Sequence, residues 1–171
     1  MRRGLDALYD GAAWVAAACL VGLLGMVLLS ITSRLAGFHV PGTDAYAGYL
    51  MAAAGFLALA HTLKRGDHIR VTLLLTAVKA PAARRALELW ALGASTLLAG
   101  VAAFYAARLA WQSHAFNDIS TANDATPLWI PQLSFAAGTL ILFVAFADEL
   151  VLEARGERHA PAGSGEAAHN E

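Results

Sequence analysis

His39, His61, His68 and His114 are the side chains of this chain with the richest possible chemistry, because imidazoles paired between membrane helices can ligate haem iron. Their positions work against that use. His39 and His68 fall in connections, while His61 and His114 lie near the ends of apolar stretches on opposite sides, so no pair shares one depth. Interfacial imidazoles, solvated or hydrogen-bonded to neighbours, are the plainer reading. Cys19 is the single cysteine, which excludes an intrachain disulfide and a thiolate metal site and leaves a small packing residue. Gly-x-Ser-x-Gly, His-Glu-x-x-His and a phosphate-binding glycine loop are all missing from the sequence. No enzyme is expected.

The elements that must carry these residues are four apolar stretches at 12–33, 46–63, 88–111 and 129–152. A hydrocarbon core of about 30 Å needs about 20 apolar residues per helix, so each stretch is long enough to cross. Composition agrees: 58% of residues are hydrophobic, only 15% are charged, and the mean hydropathy is +0.53. The expected fold is all-α, an integral membrane protein with four transmembrane helices. A membrane domain over 1–153 is followed by a disordered tail over 154–171, where small, charged and polar residues predominate. Ionisable residues such as Arg34, Asp44, Arg108, Asp148 and Glu149 sit at span ends, near the headgroups at a rise of about 1.5 Å per residue. The hydroxyls deeper in, among them Ser30, Ser95, Thr96, Ser134 and Thr139, can be satisfied by backbone carbonyls. A single copy therefore offers no route for a charged solute.

The net charge of -1 hides a segregation that sets the orientation. Arg2 and Arg3, then Lys64, Arg65, Arg70, Lys79, Arg84 and Arg85, then Arg155 and Arg158 all fall at one end of the spans. Basic excess in short loops marks the cytoplasmic side, so both termini and the middle connection are expected inside. Tyr9, Trp14, Tyr46, Tyr49, Trp90, Trp111 and Trp129 fall where an aromatic belt belongs. The first span is too long for a cleavable signal and reads as an uncleaved anchor.

The connections differ in kind. Residues 34–43, rich in glycine and proline, make a tight hairpin, with Thr43 or Asp44 available to cap the second helix. Residues 113–127 are polar and are expected to form an irregular loop. Between Lys64 and Arg85 the apolar Ile69, Val71, Leu73, Leu74, Leu75 and Val78 interrupt a basic background, which fits an interfacial helix between helices 2 and 3. Gly66 can end the second helix, with Lys64 and Arg65 at its negative end. Several small residues, including Gly22, Gly25, Gly48, Gly100 and the pairs Ala54/Ala58 and Ala103/Ala107, could bring helix backbones close.

Arg65-Gly66-Asp67-His68-Ile69-Arg70-Val71, with Pro81 and Arg84 beyond it, resembles the basic-Gly-acidic-His-hydrophobic-Arg-Val segment of the DctQ type of small membrane subunit in tripartite ATP-independent periplasmic (TRAP) transporters. Thr126-Pro127-Leu128-Trp129-Ile130-Pro131-Gln132 is similar to that family's proline-containing start of the fourth span. Asp44 opening the second span after Arg34 resembles it more loosely. The likeness covers about residues 5–152, and the chain departs from the pattern at Thr72 and Ala137.

The resemblance implies a scaffold subunit in a bacterial inner membrane, partnered by a large multi-span transport subunit and, through the complex, by a periplasmic solute-binding protein. It implies sodium-coupled uptake of a small organic acid, with the sodium ions in the large subunit and no cofactor in this one. Arg34, Asp44, Arg65, Gly66, His68, Arg70, Pro127 and Pro131 are then expected at the partner interface or at lipid headgroups, with none catalytic. The rival readings are a haem-binding electron carrier and a small self-assembling transporter.

Overall fold

The computed structural model describes residues 2–38, 40–65, 81–122 and 124–156. Four helices account for nearly all of them: α1 (Arg2–Leu35), α2 (Thr43–Arg65), α3 (Pro81–Ala115) and α4 (Trp129–Arg155). All four are long and apolar enough to cross a membrane. The expected interfacial helix, the site residues Gly66, His68 and Arg70, and the tail beyond Gly156 lie outside the described residues.

The helices overrun the apolar stretches mostly at one end. α1 has 34 residues and α3 has 35, which at about 1.5 Å per residue is about 50 Å of helix against a hydrocarbon core of about 30 Å. The excess is the polar start of each, carrying Asp6 and Asp10 in α1 and Arg84 and Arg85 in α3. Pro81 opens α3 at a position where a missing N–H costs nothing. At the opposite end α1 and α3 stop in the same way. Phe38 N donates to Ser33 O (3.0 Å) and Gly37 N to Arg34 O (3.3 Å); Asp118 N donates to Ser113 O (2.9 Å) and Asn117 N to His114 O (3.3 Å). Gly37 (φ 76) and Asn117 (φ 52) occupy the left-handed position these caps require.

Packing follows an open row in the order α1, α2, α4, α3: α1 lies along α2, α2 along α4, and α4 along α3. The chain alternates direction, so α1–α2 and α3–α4 are antiparallel hairpins and the central pair α2–α4 runs parallel. A closed antiparallel bundle, one arrangement open to four such spans, would need α1 packed along α3. The described residues show no such face. The row thus has a hairpin face, bearing both helix-helix turns, and a terminal face, bearing the chain ends.

Close approach at the centre comes from small residues. Ala53, Ala54 and Ala60 of α2 are buried, and Leu57 packs with Ala53 and with Ala16 of α1. Gly138 of α4 meets the backbone of Phe56 so closely that a Cβ there would lie 2.6 Å from its carbonyl carbon. The Phe56 and Phe135 rings complete the contact edge to face, 4.3 Å between centroids. On α3 the buried stripe is Leu92, Ala99, Ala103, Ala106, Ala110 and Ser113, a helical repeat turned toward α4. Of the small residues singled out from sequence, Gly22 meets Leu50 and Gly100 meets Phe143, whereas Gly25 and Gly48 face open space.

Gly138→Leu is expected to destabilise by about 1–3 kcal/mol through overpacking against backbone that cannot yield. Gly25→Leu, placed where nothing lies within 4 Å, should cause no loss. Thermal unfolding of both variants in detergent checks the difference.

Candidate functional site

Polar side chains gather at the two faces, and each face ties helices together. At the hairpin face Arg34 ends α1 and Asp44 opens α2, with Nη2 and Oδ2 3.4 Å apart and Ser30 Oγ donating to Asp44 Oδ1 at 3.4 Å. Each charge also complements the end of the helix that bears it. Their side chains are 68% and 80% exposed, so the pair contributes at most about 1 kcal/mol. Asp44 is therefore a pairing residue. Thr43 Oγ1 donates back to Val40 O (3.5 Å), and among the described residues no N–H of α2 donates to it.

A second polar group at this face joins α2 to the segment before α4. That segment is more ordered than the irregular loop expected of it: Ile119 bridges Pro127, Ser120 N donates to Thr126 O (2.9 Å) and Leu128 N to Asp118 O (3.0 Å). Thr126 Oγ1 and Tyr46 Oη are hydrogen-bonded at 3.1 Å, and Tyr49 Oη lies 3.0 Å from Ser120 Oγ and 3.1 Å from Asp124 Oδ2. An ionised carboxylate only accepts, so the Tyr49 proton goes to Asp124. Gly42 makes room. It has φ +83, and a Cβ on it would stand 2.9 Å from Asp124 Cβ. The hydroxyls of Thr126 and then Ser120, with a backbone N–H and Tyr49, hold the Asp124 carboxyl below the usual carboxylate range.

Pro127 and Pro131 serve the start of α4. Pro127 O accepts from Ile130 N (3.2 Å), and Pro131 sits in the first turn, where no intrahelical N–H bond is lost. Its carbonyl accepts from Ser134 Oγ at 2.7 Å. Arg65 is the last residue of α2. The structure thus brings Arg34 and Asp44 together, and sets Pro127 next to Thr126, which bonds Tyr46, with Pro131 in the first turn of α4.

At the terminal face the polar start of α1 grips α2. Asp6 pairs with Lys64, Asp10 Oδ1 lies 3.3 Å from His61 Nδ1, and Lys64 Nζ stands 5.1 Å from the Tyr9 ring centroid. Tyr9 is fully buried against Ala60, Leu63 and Ala145, with Asp148 and Glu149 close by. Arg85 Nη2 of α3 donates to Ala154 O at the end of α4 (3.1 Å). Sequence reasoning passed over Asp6, Tyr9, Asp10, Tyr49 and Asp124 as functional residues. The available signal was spacing: acids four apart on α1 and bases three apart on α2 place opposite charges on facing turns of an antiparallel pair.

Between the faces the polar atoms satisfy themselves. Thr96 Oγ1 donates to Leu92 O (2.7 Å) and Thr139 Oγ1 to Phe135 O and Ala136 O (3.0 Å each). His61 and His114 stand at opposite faces, the first beside Asp10 and the second against the Trp129 ring. Two polar ends and an apolar middle define a multi-span membrane protein.

The comparison with known families gives that class its particular member. The profile described as "Tripartite ATP-independent periplasmic transporters, DctQ component" matches residues 23–156. The chain belongs to this family: it is the small membrane component of a TRAP transporter, an inner-membrane protein, and a transport component rather than an enzyme. Such components work in a tripartite complex with a large membrane subunit and a periplasmic binding protein. A search of curated proteins found no match.

Asp124 yields a prediction with a definite sign. Its folded pKa is depressed, so its contribution to the α2–loop clasp is present above the unfolded value of about 3.9 and is lost as pH falls through the folded value. Proteolysis within 116–128 should stay slow at neutral pH and accelerate only below the ordinary carboxylate range. In Asp124→Asn the neutral-pH protection should already be reduced and this acid step should vanish.

Proposed function

We propose that this subunit braces the large transport subunit in the bilayer while that partner carries the substrate and sodium sites of a small-organic-acid importer. The observation that carries the reading is the empty middle of the row. From Asp10 to Arg34, Asp44 to His61, Glu88 to Arg108 and Trp129 to Asp148, no ionisable side chain intervenes except at the ends, apart from the Cys19 thiol and the phenols of Tyr46, Tyr49 and Tyr105. A charged solute or a sodium ion crossing here would have to leave water with nothing to replace its hydration. The residues that could coordinate it belong in another chain.

The same reading orients the row. Its basic residues cluster at the terminal face and in the connection leading from it, which supports a cytoplasmic terminal face and a periplasmic hairpin face. The Arg65–Arg70 segment, with Gly66 and His68, then meets the partner or the headgroups on the cytoplasmic side. Arg34, Asp44, Pro127 and Pro131 do so on the side from which the soluble receptor approaches.

Vesicles containing this chain alone should take up no organic anion on a sodium gradient. Vesicles with the large subunit, supplied with the binding protein, should accumulate it and stop when the gradient is collapsed; uptake by the chain alone would refute the assignment. Replacing Arg65 and His68 together by Ala should lower co-purification of the large subunit and uptake severalfold. Unchanged values in both assays would remove that segment from the interface.

A further inference from the structure

A cleft of about 160 Å³ opens between α1 and α2 beside the Arg34–Asp44 pair. Met26, Val27, Ile31 and Ala47 line it with apolar groups, and Arg34, Thr43 and Asp44 stand with Ser30 toward its headgroup-side mouth. The nine residues from Met26 to Arg34 cover about 12 Å of helix, so the cleft runs from headgroup level into the hydrocarbon. Lipid is the molecule that meets a protein at both depths.

The charges at the mouth select among lipids. Arg34 and Asp44 lie 3.4 Å apart with side chains 68% and 80% exposed, so both remain available to a ligand. The pair has no net charge to attract an anionic headgroup. What it offers is a donor fork beside an acceptor carboxylate, the complement of a phosphate joined by a short linker to an ammonium. Ser30 Oγ, 3.4 Å from Asp44 Oδ1, keeps that carboxylate turned to the mouth. A trimethylammonium head has no N–H to give Asp44, and a glycerol head sets its lone phosphate against the carboxylate. We infer that the cleft binds one phosphatidylethanolamine molecule. Its phosphate accepts from Arg34, its ammonium donates to Asp44, and an acyl chain lies along Met26, Val27 and Ile31. The inference requires only that α1 and α2 cross a bilayer, and it is independent of the solute and of the coupling ion.

Native mass spectrometry of the delipidated full chain, offered equal amounts of phosphatidylethanolamine, phosphatidylcholine and phosphatidylglycerol with matched acyl chains, tests it. The first lipid should be retained over the other two by about tenfold, the worth of one charge-assisted hydrogen bond. Asp44→Asn should bring its retention down to that of phosphatidylcholine. Ile31→Trp, which fills the cleft from an exposed position and leaves both charges in place, should remove the adduct while circular dichroism shows the helices intact. Equal retention of the three lipids, preference for phosphatidylglycerol, or a preference that survives both substitutions would overturn the assignment.

Discussion

The arrangement depends on one close contact, the meeting of Gly138 with the Phe56 backbone. α1–α2 and α3–α4 are each antiparallel hairpins that their own short connections could form independently. What makes them one layer is the parallel seam between α2 and α4, where no connection enforces proximity. Inside a bilayer the solvent does not drive apolar helices together, because lipid tails are as apolar as leucine. The seam must therefore rest on van der Waals contact at short range. Any side chain at position 138 would stand inside the Phe56 backbone, since a Cβ there already approaches the carbonyl oxygen to 2.8 Å.

The same physical setting explains where polarity is allowed. A hydroxyl in hydrocarbon must find an acceptor, and Thr96 and Thr139 find theirs one turn back on their own helices, which costs no partner and leaves no exposed dipole. Charges are confined to the two faces, where they connect neighbouring helices instead of lining a path. Arg34 with Asp44 and Asp6 with Lys64 tie α1 to α2 at opposite ends, Arg85 ties α3 to α4, and Asp124 with Tyr49 ties α2 to the segment before α4. Chemistry and architecture thus use separate residues. The described polar residues join neighbouring helices at the two faces.

Much of this was legible in the residues, and the parts that were not share a cause. The spans, the hairpins and the family followed from hydropathy, short connections and the segment around Arg65 and His68, all of which are local in sequence. The pairing of Arg34 with Asp44 was within reach because they are ten positions apart across a tight turn. Hidden from sequence were the contacts made between hairpins. Tyr49 and Asp124 are 75 residues apart, and each has a sufficient separate explanation as a belt aromatic and a loop acid. The order α1, α2, α4, α3 was hidden for the same reason. All four helices are apolar nearly all round, so no stripe announces which neighbour each one takes, and alanines that touch α4 look like alanines that touch lipid.

An open row has a mechanical consequence that a closed bundle lacks. A bundle resists shear because each helix is held on two sides, whereas α1 and α3 here are each held along one side and could slide or tilt against their neighbours. The seam between the two hairpins is cross-linked against sliding of one on the other. The Tyr46 and Tyr49 bonds act at the hairpin face, Gly138 and Phe56 act in the middle, and Tyr9, packed across the end of α2 against Ala145, acts at the terminal face. Three contacts at three heights fix both the spacing and the angle of the two hairpins. Large apolar side chains such as Trp14, Val21 and Leu24 on α1, and Leu97, Leu98 and Phe104 on α3, are left facing outward. A layer stiff in its own plane and apolar along both edges can hold a moving neighbour at a fixed depth and tilt while itself undergoing no change of shape. That is the property a brace requires.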